Sequence, residues 1–254
     1  MQYQSSGRHG LILSALGLDF RASARSGLGR GAVRELLAAV VDSGINYFHT
    51  RTAAADADMQ RLLGELISDL HLPRDCYCLG AQLGAATAER PWPTQRGLSR
   101  KALRESCDQT LRRLDVEYLD LVLCEAGDPA TPLAETLLAM DDLIRQGKVL
   151  YWGLTGWSAE GVAAVQELAA LESRRLPIML QRQTRQPAPA DPAQPSRETL
   201  SQLAEWTAVG ADGPSATAAA VTDVLTRTDL GSLIVPCRRP EELAGWLDCL
   251  PAPV

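Results

Sequence analysis

Three polar residues stand near the ends of short apolar runs in this chain of 254 residues: His49 after Ile45–Phe48, Gln82 beyond Cys76–Leu79, and Glu125 after Leu119–Cys124. An imidazole and a carboxylate within hydrogen-bond reach make a general base and its orienter. With Gln82 between them, the chemistry they suit is acid/base work on a small molecule: proton transfer, elimination, isomerisation or cyclisation. The same residues also suit a hydrated mouth with no reaction attached. Asp19 and Phe20, where a first strand gives way to its loop, are ligand-facing candidates, and so is Gln181 at a later strand end. Arg182 and Arg238 either offer positive charge to an anion or sit as exposed rim arginines.

The elements that must position these residues are clearest between Gly97 and Glu160. Ser99 is a natural N-cap, and Leu103, Cys107, Thr110, Leu111 and Leu114 follow at helical spacing. Leu119 to Cys124 reads as a buried strand. Thr131 and Pro132 open a second helix, with Leu133, Leu137, Met140 and Ile144 on one face until Gly147, and Val149 to Leu154 is the next strand. Two strands joined by a helix are parallel, so the unit is a right-handed βαβ.

The same reading applied along the chain predicts strands at Ala15–Leu18, Ile45–Phe48, Cys76–Leu79, Pro177–Gln181, Trp206–Ala211 and Leu230–Val235. Helices are expected at 31–41, after Asp56 with Leu62, Leu63, Leu66 and Ile67 buried, after Ser158 with Val162, Val165, Leu168 and Leu171 inward, at 197–205 and at 215–225. The proline-rich stretch 186–196 is expected as a surface linker. Trp152 and Trp157 read as packing residues.

Eight strands alternating with helices in a chain of this length predict one (β/α)8 TIM barrel, a fold that takes about 250 residues, so residues 1–254 are expected to form a single domain. Its chemistry belongs at the C-terminal strand ends. The apolar content of 46% supplies a core, and a net charge of -6 gives no footprint for nucleic acid or an anionic membrane surface. No apolar run reaches the roughly 18 residues of a membrane span, and the start of the chain lacks a signal-peptide pattern. The expectation is a cytoplasmic protein whose six cysteines are small reduced residues, with no metal site.

GLSRK, LRRLDVEYLDL, the segment from Asp128 to Thr136, AMDDLIRQGKVLYWG and WSAE resemble the aldo-keto reductase family, particularly its branch of voltage-gated potassium channel β-subunits. The opening 18 residues resemble that family's N-terminal hairpin and first strand, SGINYFHT its second strand, and GSLIVPCRRPEEL its last. The resemblance implies NADPH-dependent carbonyl reduction by a tetrad of aspartate, tyrosine, lysine and histidine. Those four positions fall here on His49, Ala54, Gln82 and Glu125. Alanine has no proton to donate, and a neutral glutamine cannot depress a neighbour's pKa as an ammonium does.

The implied nicotinamide contacts fall on Thr155, Gly156, Gln181 and Thr184, and the implied phosphate contacts on Pro236, Cys237, Arg238, Arg239, Glu242 and Trp246. Only Gln181 keeps the family residue. Between strand seven and its helix, Gly213 and Pro214 stand where the family has a long excursion over the cofactor, so that region is expected to be shortened. The resemblance thus implies a barrel with weak or absent NADP binding. What remains open is a cofactor-independent pocket, a pseudoenzyme acting through a protein partner, or an atypical NADP-dependent oxidoreductase.

Overall fold

The computed structural model describes residues 1–6, 9–25, 27–126, 128–184, 201–206, 218–227 and 229–251, with the backbone alone described at 182–184, 201–206 and 218–220. Its first half runs β1 (Tyr3–Ser5), β2 (Ile12–Ser14), β3 (Leu16–Asp19), α1 (Phe20–Ala24), α2 (Arg30–Asp42), β4 (Tyr47–Arg51), α3 (Ala57–Asp69), β5 (Cys78–Leu83) and α4 (Arg100–Leu114). Then come β6 (Leu119–Glu125), α5 (Leu133–Arg145), β7 (Val149–Thr155), α6 (Ala159–Leu171), β8 (Met179–Thr184), β9 (Ser201–Trp206), α7 (Ala218–Leu225), β10 (Leu230–Pro236) and α8 (Pro240–Leu247). β1 and β2 form the expected antiparallel hairpin. The other strands take the order β10-β3-β4-β5-β6-β7-β8-β9, the succession of a (β/α)8 barrel.

Two compact units divide the chain. The first comprises 1–49, 66–78 and 181–254, the second 50–65 and 79–180. In the first, β10 pairs in parallel with β3 and with β9, and β3 pairs with β4, placing Asp19 opposite His49. Leu16, Leu18, Tyr47, Phe48, Leu233 and Ile234 are buried there. In the second, β5, β6 and β7 are parallel neighbours, with Gln82 opposite Leu123 and Glu125 opposite Thr155.

β6 shows why these residues make a buried parallel strand. Leu119 to Cys124 are all buried, so both faces are covered, and the polar side chain arrives only at the last residue. The helices begin where their caps dictate: Ser99 accepts from the Ala102 N–H and Ser158 from the Gly161 N–H. In α3, Gly64 lies against the backbone of Leu114, where a Cβ would collide with the Leu114 carbonyl.

Several boundaries differ from the sequence reading. β4 continues through His49 to Arg51, and the Thr50 side chain, donating to the Gly80 carbonyl, holds this end of it. The third strand starts at Cys78 instead of Cys76, since Arg74–Cys76 closes a 3-10 turn after Pro73, and it runs on through Gln82. Asp19 caps α1, so the expected loop at Asp19 and Phe20 is a short helix with Phe20 buried. Asp56 ends a 3-10 turn leading into α3.

Leu171 is 75% exposed, and Ala169, one residue after the expected Leu168, takes the buried place on α6. Residues 201–205, expected in a helix, form β9 together with Trp206, where a strand was expected to start; pairing to β10 outweighs local propensity. The expected strand over 206–211, the shortened connection at 213–214 and the proline-rich 186–196 lie outside the described residues.

Candidate functional site

The end of β4 is held by a polar network in the second unit. Thr50 Oγ1 donates to the Gly80 carbonyl at 3.1 Å, the Thr52 N–H to the Gln82 carbonyl at 2.9 Å, and Thr52 and Thr110 share a buried hydroxyl hydrogen bond of 2.6 Å. These bonds fix the backbone on both sides of Arg51, the last residue of the strand. Arg51 Nη2 donates to Glu125 Oε1, joining the ends of β4 and β6 in an ion pair about a third exposed.

Beside that pair is a cavity of about 610 Å3 in the second unit. Its charged lining is Arg51, Arg96, Glu125 and Asp128, and its walls include Gly84, Ala85, Ala86 and Gly97. The Asp128 carboxylate is engaged: Oδ2 accepts from the Leu98 N–H at 2.7 Å and from the Thr131 hydroxyl at 2.5 Å. The Thr131 hydroxyl, then the Leu98 N–H, hold its carboxyl below the ordinary carboxylate value. Gly97, with φ of 87°, makes room for it; a Cβ there would collide with Asp128 Oδ2.

Ala54 opens the 3-10 turn that follows β4, and its N–H donates to the Ala86 carbonyl at 3.0 Å. Gln82 is buried in β5. Thr155 ends β7, its carbonyl accepting from the Ala126 N–H at 2.9 Å. Trp152 and Trp157 pack as the sequence indicated, their indoles donating to the Arg175 and Cys124 carbonyls at 3.0 Å.

In the first unit His49 is fully buried. Its Nδ1 lies 3.1 Å from the Tyr47 hydroxyl, which is also fully buried. Asp19 forms a two-bond pair with Arg21, each contact 2.9 Å, while its Oδ1 caps α1. Phe20 and Gln181 are each 1% exposed. At the head of α8 the Arg238 N–H donates to Glu242 Oε2 at 2.8 Å, and Glu241 and Glu242 both lie in the first turn. The Cys237 carbonyl accepts from Ser23 at 2.6 Å. Arg182 lies in β8 with its side chain outside the description.

The structure therefore brings Glu125 to Arg51 and His49 to Tyr47. Arg51, Arg96, Asp128 and Tyr47 were not singled out from the sequence. For Arg51 and Tyr47 a signal existed: residues 47, 49 and 51 alternate along one strand, so whatever is read at His49 applies two residues either way. Among the described residues no group of three or more His, Cys, Asp or Glu is placed to hold a metal ion, and no helix is long and apolar enough to cross a membrane.

The family model described as "Aldo/keto reductase family" matches residues 26–244. The chain belongs to the aldo/keto reductase family. Among curated relatives, the rice (Oryza sativa subsp. japonica) "Probable voltage-gated potassium channel subunit beta" is 32% identical over 169 residues, 66% of this chain and 51% of the relative. The Arabidopsis thaliana protein of the same name is 30% identical over 162 residues, 64% of this chain and 48% of the relative. The chain spans about half the length of the curated relatives it matches.

Proposed function

We propose that this aldo/keto reductase family member does not reduce carbonyls with NADPH but binds a small molecule in the cavity beside Arg51 and Glu125. Ala54 carries the reading. At the position where the resemblance puts the family's tyrosine, the side chain is a methyl group on a backbone anchored to Ala86, and it has no proton to give a forming alkoxide. Of the two carboxylates that line the cavity, Asp128 is held by Leu98 and Thr131, so Glu125 is the one assigned to exchange a proton with the bound molecule. His49, fully buried against Tyr47, is assigned no contact with the bound molecule. The chemistry is cofactor-independent acid/base work of the lyase, isomerase or cyclase type.

The head of α8 supports the same reading. A helix N-terminus favours a phosphate when its N–H groups are available and its first turn is not acidic. Here the first helical residue, Pro240, has no N–H to give, the Arg238 N–H just before the cap is taken by Glu242, and Glu241 adds a second carboxylate. These residues do not fit the phosphates of NADPH, and no step of the proposal passes through that cofactor. In this proposal the chain works as one barrel domain in the cytoplasm, a reducing compartment in keeping with its six free cysteines.

The test is NADPH consumption by the purified protein with aromatic and aliphatic aldehydes. The expected rate equals that without protein. Turnover that saturates with aldehyde would overturn the proposal and restore an atypical NADP-dependent oxidoreductase.

A second reading rests on the two plant relatives, whose names assign them to a potassium channel as β-subunits. In it the chain is a catalytically silent partner of a membrane channel. A complex with a channel's cytoplasmic region that survives size-exclusion chromatography supports it; separate elution at micromolar concentrations counts against it.

A further inference from the structure

We infer that the cavity of the second unit is an oxyanion site, and that its ligand carries a carboxylate or phosphate group which takes Glu125's place on Arg51. The inference rests on the proposed use of this cavity and names the class of molecule that enters it. Donors and acceptors in the lining are out of balance.

Each guanidinium carries five N–H donors and no acceptor. Arg51 gives Nη2 to Glu125, while its Nε is buried with no hydrogen-bond partner among the described residues. Arg96, exposed at the cavity wall, makes no ion pair among the described residues. The carboxylates of the lining already serve other donors: Glu125 Oε1 accepts from Arg51, and Asp128 Oδ2 from both Leu98 and Thr131. A ligand that completes this lining must bring acceptor oxygens, and the planar fork of arginine matches those of carboxylate and phosphate.

The ion pair between Arg51 and Glu125 then has a second use. It keeps an arginine charge compensated until an anion of better geometry arrives, and then it opens. Because the pair is about a third exposed on each side, solvent screens it and exchange costs little. Once released, the Glu125 carboxylate faces the bound molecule as a base. Gly84, Ala85 and Ala86 leave the volume for the rest of the ligand.

The test is isothermal titration calorimetry of the full chain at low ionic strength, with sodium oxalate in one series and inorganic phosphate in another. Saturable binding of at least one probe is expected, and the tighter of the two identifies the headgroup. Arg96→Gln should weaken it on the order of tenfold, the loss of one charge-assisted hydrogen bond. Arg90→Gln, an exposed control with the same charge change, should not. Glu125→Gln should bind more tightly than Glu89→Gln, again with charge matched, because the competing carboxylate is gone. Arg51→Lys, which keeps the charge but loses the fork, should weaken binding.

Absence of saturable heat with either probe overturns the inference, as does equal weakening by Arg96→Gln and Arg90→Gln, which marks diffuse attraction. These measurements use neither NADPH nor turnover. A failed anion titration leaves the cofactor-independent reading standing with an uncharged ligand, whereas NADPH-dependent turnover overturns that reading and leaves the anion site in place.

Discussion

Two polar pairs meet on β4, two residues apart in sequence and in opposite surroundings. Tyr47 and His49 belong to the first unit and are fully buried. Arg51 pairs with Glu125 in the second unit, and both are about a third exposed. A buried hydrogen-bonded pair is costly to break, because each group is left without water, whereas a partly exposed ion pair exchanges readily with solvent or a ligand. The first pair suits a fixed role and the second an exchangeable one, and for that reason Glu125, not His49, is assigned to the ligand.

The sharpest way to break the comparison is to remove one partner from each pair. Tyr47→Phe leaves buried His49 without the phenol and should cost about 1–3 kcal/mol in urea unfolding. Glu125→Gln should cost no more than about 1 kcal/mol. Equal costs would erase the distinction. Gly97→Ala probes the open side from the backbone: it strains a φ of 87° and pushes on Asp128, so a loss of about 1–2 kcal/mol is expected, together with weaker anion binding.

A smaller effect is expected from pH. The Asp128 carboxyl has its pKa lowered in the folded chain, so it contributes stability that is present above the unfolded carboxylate pKa and is lost as pH falls through the lower folded value. Asp128→Asn should therefore flatten the acid limb of stability measured by urea midpoints from neutral pH downward. A limb unchanged in the variant contradicts the assignment.

The smallest effect, on stability at least, concerns the thiols. Burial pushes Cys107, Cys124 and Cys237 up to about 12, whereas Cys76 is exposed. Maleimide should label Cys76 fastest in the native protein, and rapid labelling of Cys124 would show that β6 opens.

Much of the fold was legible because periodicity and caps are local. Ser99, Ser158 and the apolar run of β6 announce their elements without help from the rest of the chain. What was not legible depends on pairing: β9 forms at 201–206 through its register with β10, and β5 extends beyond its apolar run because it stays paired with β6 as far as Leu83. Glu125 was visible as the polar end of a strand. Its partner was not, since nothing local in the sequence says that Arg51 reaches across to β6, and Arg96 gained meaning only when a cavity opened beside it.

The most direct test of the functional reading is equilibrium titration of the purified chain with NADPH and, separately, NADP, followed by calorimetry and by intrinsic fluorescence. No saturable binding up to millimolar cofactor is expected, because Glu242 occupies the head of α8 and Ala54 removes the reason to hold a hydride donor. Binding in the micromolar range or tighter would contradict it.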